Sequence, residues 1–376
     1  MSSADSPARW RSPGRVNLIG EHTDYNDGFC LPLAIAQGCD ASVSRLDEDV
    51  VEVVSAQRTD PVEIQLRGAA PEAFALLRSQ DRWAGYPIGV VWALRQRGHQ
   101  LGGMSIEINS DVPEGAGLSS SAALACAVAA AVADLFDLGL DQGEVVSIAR
   151  QAENDFVGTP TGGMDQLASV FGAAGQVLLC DMRTLTVEAL PFDLESAGLA
   201  LLVVDTRAHH QHVAGPYAER RAACEEAARQ LGVPALRDIT LEDLPDAMKK
   251  LDSDLLRKRA RHVITENDRT LAAAGLLRTG QLRQVGRLLT ASHASLRDDF
   301  QVSVPEVDLA VEVMLAFEAY GARMTGGGFG GCAIGLMDPA QARAAAIGLD
   351  GAFGGRGYTE PSIFTATASA GTHRLS

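Results

Sequence analysis

A glycine loop that runs directly into an alanine-rich apolar stretch is the feature that most constrains this chain. The loop contains Gly115 and Gly117, and helical spacing begins at Ser120 and continues to Phe136. Glycine lets the backbone approach another group closely, and the first N–H groups of a helix lack partners within the helix and favour an anion. The segment predicts a phosphate site at the start of a helix, although serine is also a common helix cap where nothing is bound.

Two familiar nucleotide-binding patterns do not fit this loop. It carries no lysine in a Gly-x-x-x-x-Gly-Lys-Ser/Thr arrangement, which would pair with phosphates. No Gly-x-Gly-x-x-Gly lies between a predicted strand and helix with an acidic residue about 20 positions further on, as a dinucleotide fold requires. The predicted phosphate site therefore belongs to neither class.

Composition narrows the class of protein and of partner. With 376 residues, 46% hydrophobic and 21% charged, the chain is a folded protein, and at roughly 150 residues per domain it has two or three domains. Its net charge of −16 argues against nucleic acid or an anionic membrane as a partner. The six cysteines show no Cys-x-x-Cys pair, so neither a disulfide framework nor structural zinc is expected. The N-terminus has no apolar secretory core, which predicts a cytoplasmic protein.

Strand and helix patterns are mixed in both halves of the chain. Alternation typical of strands occurs over 40–66, 104–110 and 199–205, whereas helical spacing is concentrated after residue 216. Because strands and helices do not alternate regularly, a doubly wound parallel sheet is disfavoured. We expect two α+β domains, 1–185 and 186–376. The basic cluster over 257–262 lies in a helical stretch and is interpreted as a solvated face.

Two further segments are unusual, and each has two interpretations. The segment from Arg15 to Gly28, RVNLIGEHTDYNDG, is dense in groups that can hydrogen-bond hydroxyls. It either lines a sugar-sized polar pocket or forms a solvated loop. The segment from Gly326 to Gly331 has five glycines in six residues, so its backbone either bends sharply or approaches another group closely.

Two of the carboxylates between the glycine segments are candidate site residues. Glu153 and Asp165 lie in QAENDFVGTPTGGMDQ. By pattern alone, each is more typical of a surface or capping residue than of a catalytic one.

Together these segments resemble the galactokinases, members of the GHMP family of small-molecule kinases. GRVNLIGEHTDYNDG resembles their N-terminal signature, EGAGLSSSAA their phosphate loop, and MTGGGFGGCAIGL their third motif, in the expected order and across nearly the whole chain. The resemblance implies a two-lobed GHMP kinase fold of α+β class. Its N-terminal lobe would resemble ribosomal protein S5 domain 2, its C-terminal lobe would be ferredoxin-like with extra helices, and the active site would lie between them.

The resemblance also implies an activity and a set of site residues. The reaction would be ATP-dependent phosphorylation of D-galactose at the anomeric hydroxyl, with Asp165 as base and Arg15 as its cationic partner. The positions implied to bind the sugar are Glu21, His22, Asp24, Gly162 and Tyr217. Those implied to bind ATP are Trp83, Tyr86, Gly115, Gly117, Leu118, Ser119, Ser120 and Ser121. Those implied to hold Mg²⁺ are Ser121 and Glu153.

The sequence departs from the family pattern in two places, and other functions stay open. Gly163 and Gly215-Pro216-Tyr217 replace commoner residues, and the preceding His209, His210 and His212 are interpreted as a polar loop near the sugar pocket rather than as a metal site. The alternatives are a related kinase for N-acetylgalactosamine or arabinose, and a non-catalytic galactose and ATP sensor. The intact serine loop disfavours the sensor. We expect a monomer that binds only small molecules.

Overall fold

The computed structural model describes residues 6–77, 79–159, 161–208 and 214–376. The strands in these ranges are β1 (Ala8–Asn17), β2 (Phe29–Cys30), β3 (Pro32–Arg45), β4 (Val50–Ser55), β5 (Val62–Gln65), β6 (Met104–Ser110), β7 (Gln176–Asp181), β8 (Thr186–Pro191), β9 (Ala200–Asp205), β10 (Gly321–Thr325), β11 (Cys332–Met337), β12 (Ser362–Ala366) and β13 (His373–Arg374). The α-helices are α1 (Pro71–Leu76), α2 (Gly85–Gln96), α3 (Ser120–Leu135), α4 (Gln142–Gln151), α5 (Met164–Phe171), α6 (Ala214–Leu231), α7 (Leu244–Lys250), α8 (Asp254–Arg278), α9 (Leu282–Ser295), α10 (Pro305–Ala316) and α11 (Pro339–Arg356).

The N-terminal sheet has six strands in the order β13-β1-β3-β6-β4-β5. Adjacent strands in this sheet are antiparallel, except that β4 and β6 pair in parallel. Burial alternates along β4, where Val51 and Val53 face the core, because successive side chains of a strand point to opposite faces. Helix α3 packs against β1 and β3, and every residue from Ala125 to Ala133 is buried. A helix that is apolar on all sides belongs in a core.

The C-terminal sheet has the order β10-β11-β9-β12, with all neighbours antiparallel. Counted along the chain from β9, this order is 2-3-1-4, with helices between the first and second strands and between the third and fourth. That is the βαββαβ arrangement of a ferredoxin-like unit. Helices α6 to α10 all lie between β9 and β10, so this lobe carries extra helices. The α+β, two-lobed fold class is confirmed.

A third sheet of strands β2, β7 and β8 completes the fold. Residue 185 lies in the turn between β7 and β8, which pair from Gln176 with Pro191 to Asp181 with Thr186. The last strand, β13, returns to pair with β1 of the N-terminal sheet. The division of the chain at residue 185 stays a prediction.

Several elements agree with the sequence pattern, and others carried no pattern. The predicted strand 104–110 is β6, and the predicted helix from Ser120 is α3. Strand β1 escaped prediction because its pairing with β3 shifts register between Pro13 and Arg15, and because its last residues include buried polar side chains. Alternation cannot be recognised where a bulge and buried charge interrupt it.

Two further findings concern membrane-spanning helices and the cysteines. Within the described ranges, no helix is both long enough and apolar enough to cross a membrane. All six cysteines are buried and unpaired.

Two glycines bring helix α9 into direct contact with strand β10. A Cβ on Gly321 would lie 1.7 Å from the carbonyl oxygen of Gly286, and a Cβ on Gly286 would lie 2.3 Å from the carbonyl carbon and oxygen of Tyr320. The obstructing atoms are backbone atoms, which cannot rotate away as a side chain does. These glycines therefore set the spacing between helix and strand.

We expect Gly286→Ala to lower the free energy of unfolding by about 1–3 kcal/mol, because the added methyl group overpacks this contact. The control is Gly275→Ala in α8, where a Cβ meets nothing within 4 Å. Because alanine is the better helix former, this control should raise stability by up to about 1 kcal/mol. Urea unfolding midpoints measure the change in stability of each variant. Equal midpoints for the two variants would contradict the packing argument.

Candidate active site

Three segments that are far apart in the sequence meet at the guanidinium of Arg15. Its Nε donates to Oδ1 of Asp165 at 2.8 Å, and its Nη1 donates to the carbonyl oxygen of Gly117 at 2.6 Å. The hydroxyl of Ser119 donates to the other carboxylate oxygen of Asp165 at 2.5 Å. Arg15 is buried, whereas 23% of the Asp165 side chain is exposed. The centre is therefore shielded on the arginine side and accessible on the carboxylate side.

Local backbone geometry brings Asp165 to this centre. The residue lies in the first turn of α5, where the helix dipole stabilises a carboxylate. Gly163 precedes the helix with φ of 106°, a value that L side chains rarely adopt. A Cβ there would also lie 3.2 Å from Cδ of Arg150. The glycine that departs from the family pattern is thus required by the conformation of this turn.

The first glycine loop winds through left-handed conformations before α3. Gly115, Gly117 and Ser119 have φ of 73°, 74° and 61°. Leu118 is buried, and its carbonyl oxygen accepts the backbone N–H of Arg15 at 3.0 Å. The Ser119 side chain makes no capping bond to the helix. Of the two interpretations of this serine, capping is thus excluded, and the first N–H groups of α3 are not satisfied by its side chain.

The glycine segment from Gly326 to Gly331 packs against the glycine loop that precedes α3. A Cβ on Gly326 would lie 3.0 Å from the carbonyl oxygen of Gly117, and a Cβ on Gly328 would lie 2.5 Å from that of Val302. Gly326, Gly328, Gly330 and Gly331 all have positive φ. The segment therefore both bends sharply and approaches other backbone closely.

Glu153 is a buried carboxylate beside the glycine loop that precedes α3. It accepts from the Ser121 hydroxyl at 2.9 Å and from the Gln166 amide at 2.5 Å. Burial, followed by the nearby charge of Asp165, raises the pKa of Glu153 to about 7. Both hydrogen-bond partners are neutral, and the oxygen donors of Ser121 and Glu153 suit a hard cation such as Mg²⁺. In the described part of the chain, no group of three or more His, Cys, Asp or Glu residues forms a metal site.

A cavity of about 230 Å³ opens beside these serines. Trp83, Tyr86, Ser120 and Ser121 all line it. The Tyr86 hydroxyl lies beside Ser121, and burial raises its pKa to about 12. The structure thus brings the two aromatic residues implied for the adenine wall together with the serines of the glycine loop.

Asp24, Gly162, Tyr217 and His22 form a second group near Asp165. A Cβ on Gly162 would lie 2.4 Å from Oδ2 of Asp24, so only glycine fits there. Burial, followed by the charge of Asp165, raises the pKa of Asp24 to about 6. The Tyr217 ring packs against the His22 ring at 5.6 Å. Burial lowers the pKa of His22 to about 3, so its imidazole is neutral at pH 7.

Glu21 lies deeper than the other residues of the signature. It is 2% exposed, pairs with Arg323, and accepts from Thr325 at 3.2 Å and from the Gly326 N–H at 3.0 Å. Its Oε1 therefore faces two groups of the third motif, and its Oε2 faces Arg323, the residue before that motif. Glu21 joins the signature to the C-terminal lobe.

Sequence reasoning missed the residues that hold Glu21. Arg323 is fully buried, donates to the Leu18 carbonyl oxygen at 3.0 Å and lies 3.8 Å from Glu266. Although burial opposes it, Arg269 and Arg323 lower the pKa of Glu266 to about 2. The position of Arg323, three residues before Gly326, was a usable signal, whereas Glu266 carried none.

The interpretation of the basic cluster over 257–262 as a solvated face was wrong. Arg259 and His262 are 2% and 0% exposed. His262 Nε2 lies 3.1 Å from the carbonyl oxygen of Glu21, and its other ring nitrogen contacts Ser295. A charge pattern on a helix cannot reveal which face another lobe will cover. His209, His210 and His212 lie outside the described residues.

Comparisons with known proteins agree with this geometry. The family model for the galactokinase galactose-binding signature matches residues 2–45, that for the GHMP kinases N terminal domain matches 85–173, and that for the GHMP kinases C terminal matches 272–350. A Streptomyces coelicolor galactokinase is 47% identical, covering 100% of this chain and 96% of that protein. A Mycobacterium bovis galactokinase is 42% identical, covering 96% of this chain and 97% of that protein.

Solved structures give the same result. The crystal structure of Lactococcus lactis galactokinase complexed with galactose matches with a TM-score of 0.92 at 31% identity, covering 98% of this chain and 95% of that one. A mevalonate kinase from Methanococcus jannaschii shares the fold, with a TM-score of 0.68 at 17% identity, over 97% of this chain and 99% of that one. The chain therefore belongs to the galactokinase family within the GHMP kinases, and it is an ATP-dependent sugar kinase.

Proposed function

We propose that this chain transfers the γ-phosphoryl group of ATP to the anomeric hydroxyl of D-galactose, giving galactose 1-phosphate and ADP. The observation that carries the proposal is the buried Arg15 guanidinium, which joins Asp165 to the glycine loop. A base and a phosphate-binding loop held by one side chain suit transfer between a hydroxyl and a phosphate. Positioning and charge stabilisation supply most of the acceleration in such reactions.

Asp165 is proposed as the group that accepts the proton of the attacking hydroxyl. The Arg15 guanidinium and the Ser119 hydroxyl each donate to one of its two carboxylate oxygens. With one face of the carboxylate bonded to Arg15, the carboxylate is oriented before substrate arrives. A preoriented base lowers the cost of reaching the reactive geometry.

The sugar is proposed to lie among Asp24, His22, Gly162 and Tyr217, with Glu21 at its edge. Asp24 is half-buried, and the charge of Asp165 adds to burial in raising its pKa. A sugar that contacts both carboxylates would span this group. A site that pairs each hydroxyl rejects an epimer, because a misplaced hydroxyl leaves buried polar groups without partners.

The nucleotide is proposed to occupy the cavity beside α3. Its base would stack on Trp83 and Tyr86, and its phosphates would meet Ser120, Ser121 and the backbone of Gly115, Gly117, Leu118 and Ser119. Ser121 and Glu153 would hold Mg²⁺, which supplies charge neutralisation between phosphate oxygens when bound. We also propose that the protein acts as a cytoplasmic monomer.

The test is a coupled assay of ADP release across epimeric hexoses, with wild type and Asp165→Ala. Galactose should support turnover and glucose should not. Asp165→Ala should lower kcat by at least about 100-fold, because a lost general base costs that much. Calorimetry should show that the variant still binds ATP and galactose.

The matched control is Asp268→Ala, which removes an exposed carboxylate on α8. It should retain wild-type turnover. Turnover with N-acetylgalactosamine or arabinose in place of galactose would favour the related sugar kinase. Binding of galactose and ATP without any turnover by wild type would favour the sensor.

Galactose binding should weaken as the pH falls through about 6. The pKa of Asp24 is raised to about 6, so its carboxylate is ionised above that pH and protonated below it. If the ionised form accepts the sugar hydroxyls, Kd for galactose rises by about tenfold per pH unit below the pKa. Calorimetric titration of wild type at pH 7.5, 6 and 5 measures this change.

Asp24→Asn is the matched variant for the pH series. It should bind galactose weakly and with the same Kd at all three pH values. A wild-type Kd that stays constant from pH 7.5 to 5 would show that Asp24 does not bind the sugar as a carboxylate.

Glu153→Gln should raise the Mg²⁺ concentration that nucleotide binding requires. The amide keeps the size of the side chain but loses the charge that a hard cation prefers. We expect the concentration of Mg²⁺ giving half-maximal ATP affinity to rise by about 10-fold or more. Calorimetric ATP titrations at several Mg²⁺ concentrations measure it, and an unchanged Mg²⁺ dependence would remove Glu153 from the metal site.

A further inference from the structure

A partly exposed ion pair lies in the lining of the cavity proposed to bind the nucleotide. Arg58 follows β4, and Glu114 lies in the glycine loop before α3. The Arg58 Nη2 lies 2.9 Å from Oε1 and 2.8 Å from Oε2 of Glu114. Both residues line the cavity, and their side chains are 39% and 66% exposed. The pair therefore joins the end of β4 to the loop proposed to bind phosphate.

Arg58 supplies a charge that this cavity otherwise lacks. Among the described residues that line the cavity, it is the only lysine or arginine. Arg15 is already engaged with Asp165 and Gly117, and the loop has no lysine. A guanidinium pairs with phosphate as readily as with carboxylate, through parallel N–H donors. A nucleotide triphosphate entering the cavity would meet this cation at the entrance.

The backbone beneath Arg58 is anchored while its side chain is exposed. The Arg58 N–H donates to the Ser55 carbonyl oxygen at 3.1 Å. The neighbouring Gln57 side chain donates to Asn109 at 2.9 Å and accepts from the N–H of Ser110 at 3.3 Å. Exposed ion pairs stabilise a fold only weakly. The guanidinium can therefore exchange its partner without any movement of the strand.

We propose that Arg58 binds the phosphate oxygens of the nucleotide and leaves Glu114 when the nucleotide enters. Glu114 then acts as a competitor that occupies the guanidinium in the free protein. The inference rests on the proposed function, because it places ATP in this cavity. It adds a specificity contact for nucleoside di- and triphosphates and a residue that limits their affinity.

The test is calorimetric titration of MgATP, MgADP and adenosine into wild type, Arg58→Gln, Glu114→Gln and the double variant. Arg58→Gln should raise Kd for ATP and ADP by about fivefold or more, since a charge-assisted pair is lost, and leave Kd for adenosine unchanged. Glu114→Gln should lower Kd for ATP by about twofold or more, because the competing charge is gone. The double variant should match Arg58→Gln, since Glu114 acts only through Arg58.

The matched control is Arg67→Gln, which removes an exposed cation, 89% accessible, that pairs with Asp49 elsewhere. It should leave all three affinities unchanged. The proposal is overturned if Arg58→Gln binds ATP as the control does, or if it loses adenosine affinity as strongly as ATP affinity. Failure of the proposed function is distinguishable, because wild type would then show no galactose-dependent ADP release whatever Arg58→Gln does to ATP binding.

Discussion

The ion pair between Arg15 and Asp165 determines how the rest of the active site is arranged. Arg15 is buried, so its charge must be matched by nearby acceptors, and the Asp165 carboxylate and the Gly117 carbonyl oxygen match it. Removing one partner of a buried pair leaves an uncompensated charge, at a cost of about 3–5 kcal/mol. The strand that carries Arg15, the helix that carries Asp165 and the glycine loop are therefore held in one arrangement, and the site is preorganised before substrate binds.

A second buried charge network joins the two lobes behind this pair. Arg323 lies in strand β10 of the C-terminal sheet. Its side chain pairs with Glu21 and donates to the Leu18 carbonyl oxygen of the N-terminal signature, and Glu266 of α8 lies 3.8 Å from it. Thr325 donates to the Asn17 carbonyl oxygen in the same region. Unpaired buried charges are costly, so a rotation of one lobe relative to the other, which would separate these charges from their partners, is disfavoured. The network therefore stabilises the cleft in which sugar and nucleotide are proposed to meet.

The charge of the whole chain and the charge of the site differ in what they imply. A net charge of −16 repels large polyanions, yet the cavity proposed to bind the nucleotide is lined by Arg58 and by the first residues of α3, where the helix dipole favours an anion. Carboxylates are nevertheless close by, because burial and then the charge of Asp165 raise the pKa of both Asp24 and Glu153. The proposed ligand, a small anion accompanied by a divalent cation, would suit such a mixture of charges.

Local sequence determined local structure well. The alanine-rich run from Ser120 forms the predicted helix, and four of the five glycines at 326–331 have the positive φ that L side chains rarely adopt. These segments were also specific enough to identify the family. The burial of Arg259 and His262, the Arg323 network and the Arg58–Glu114 pair could not be predicted, because each depends on which surface a distant segment covers. Only tertiary packing, which brings Arg323 within hydrogen-bond distance of Leu18, 305 positions away, decided those contacts.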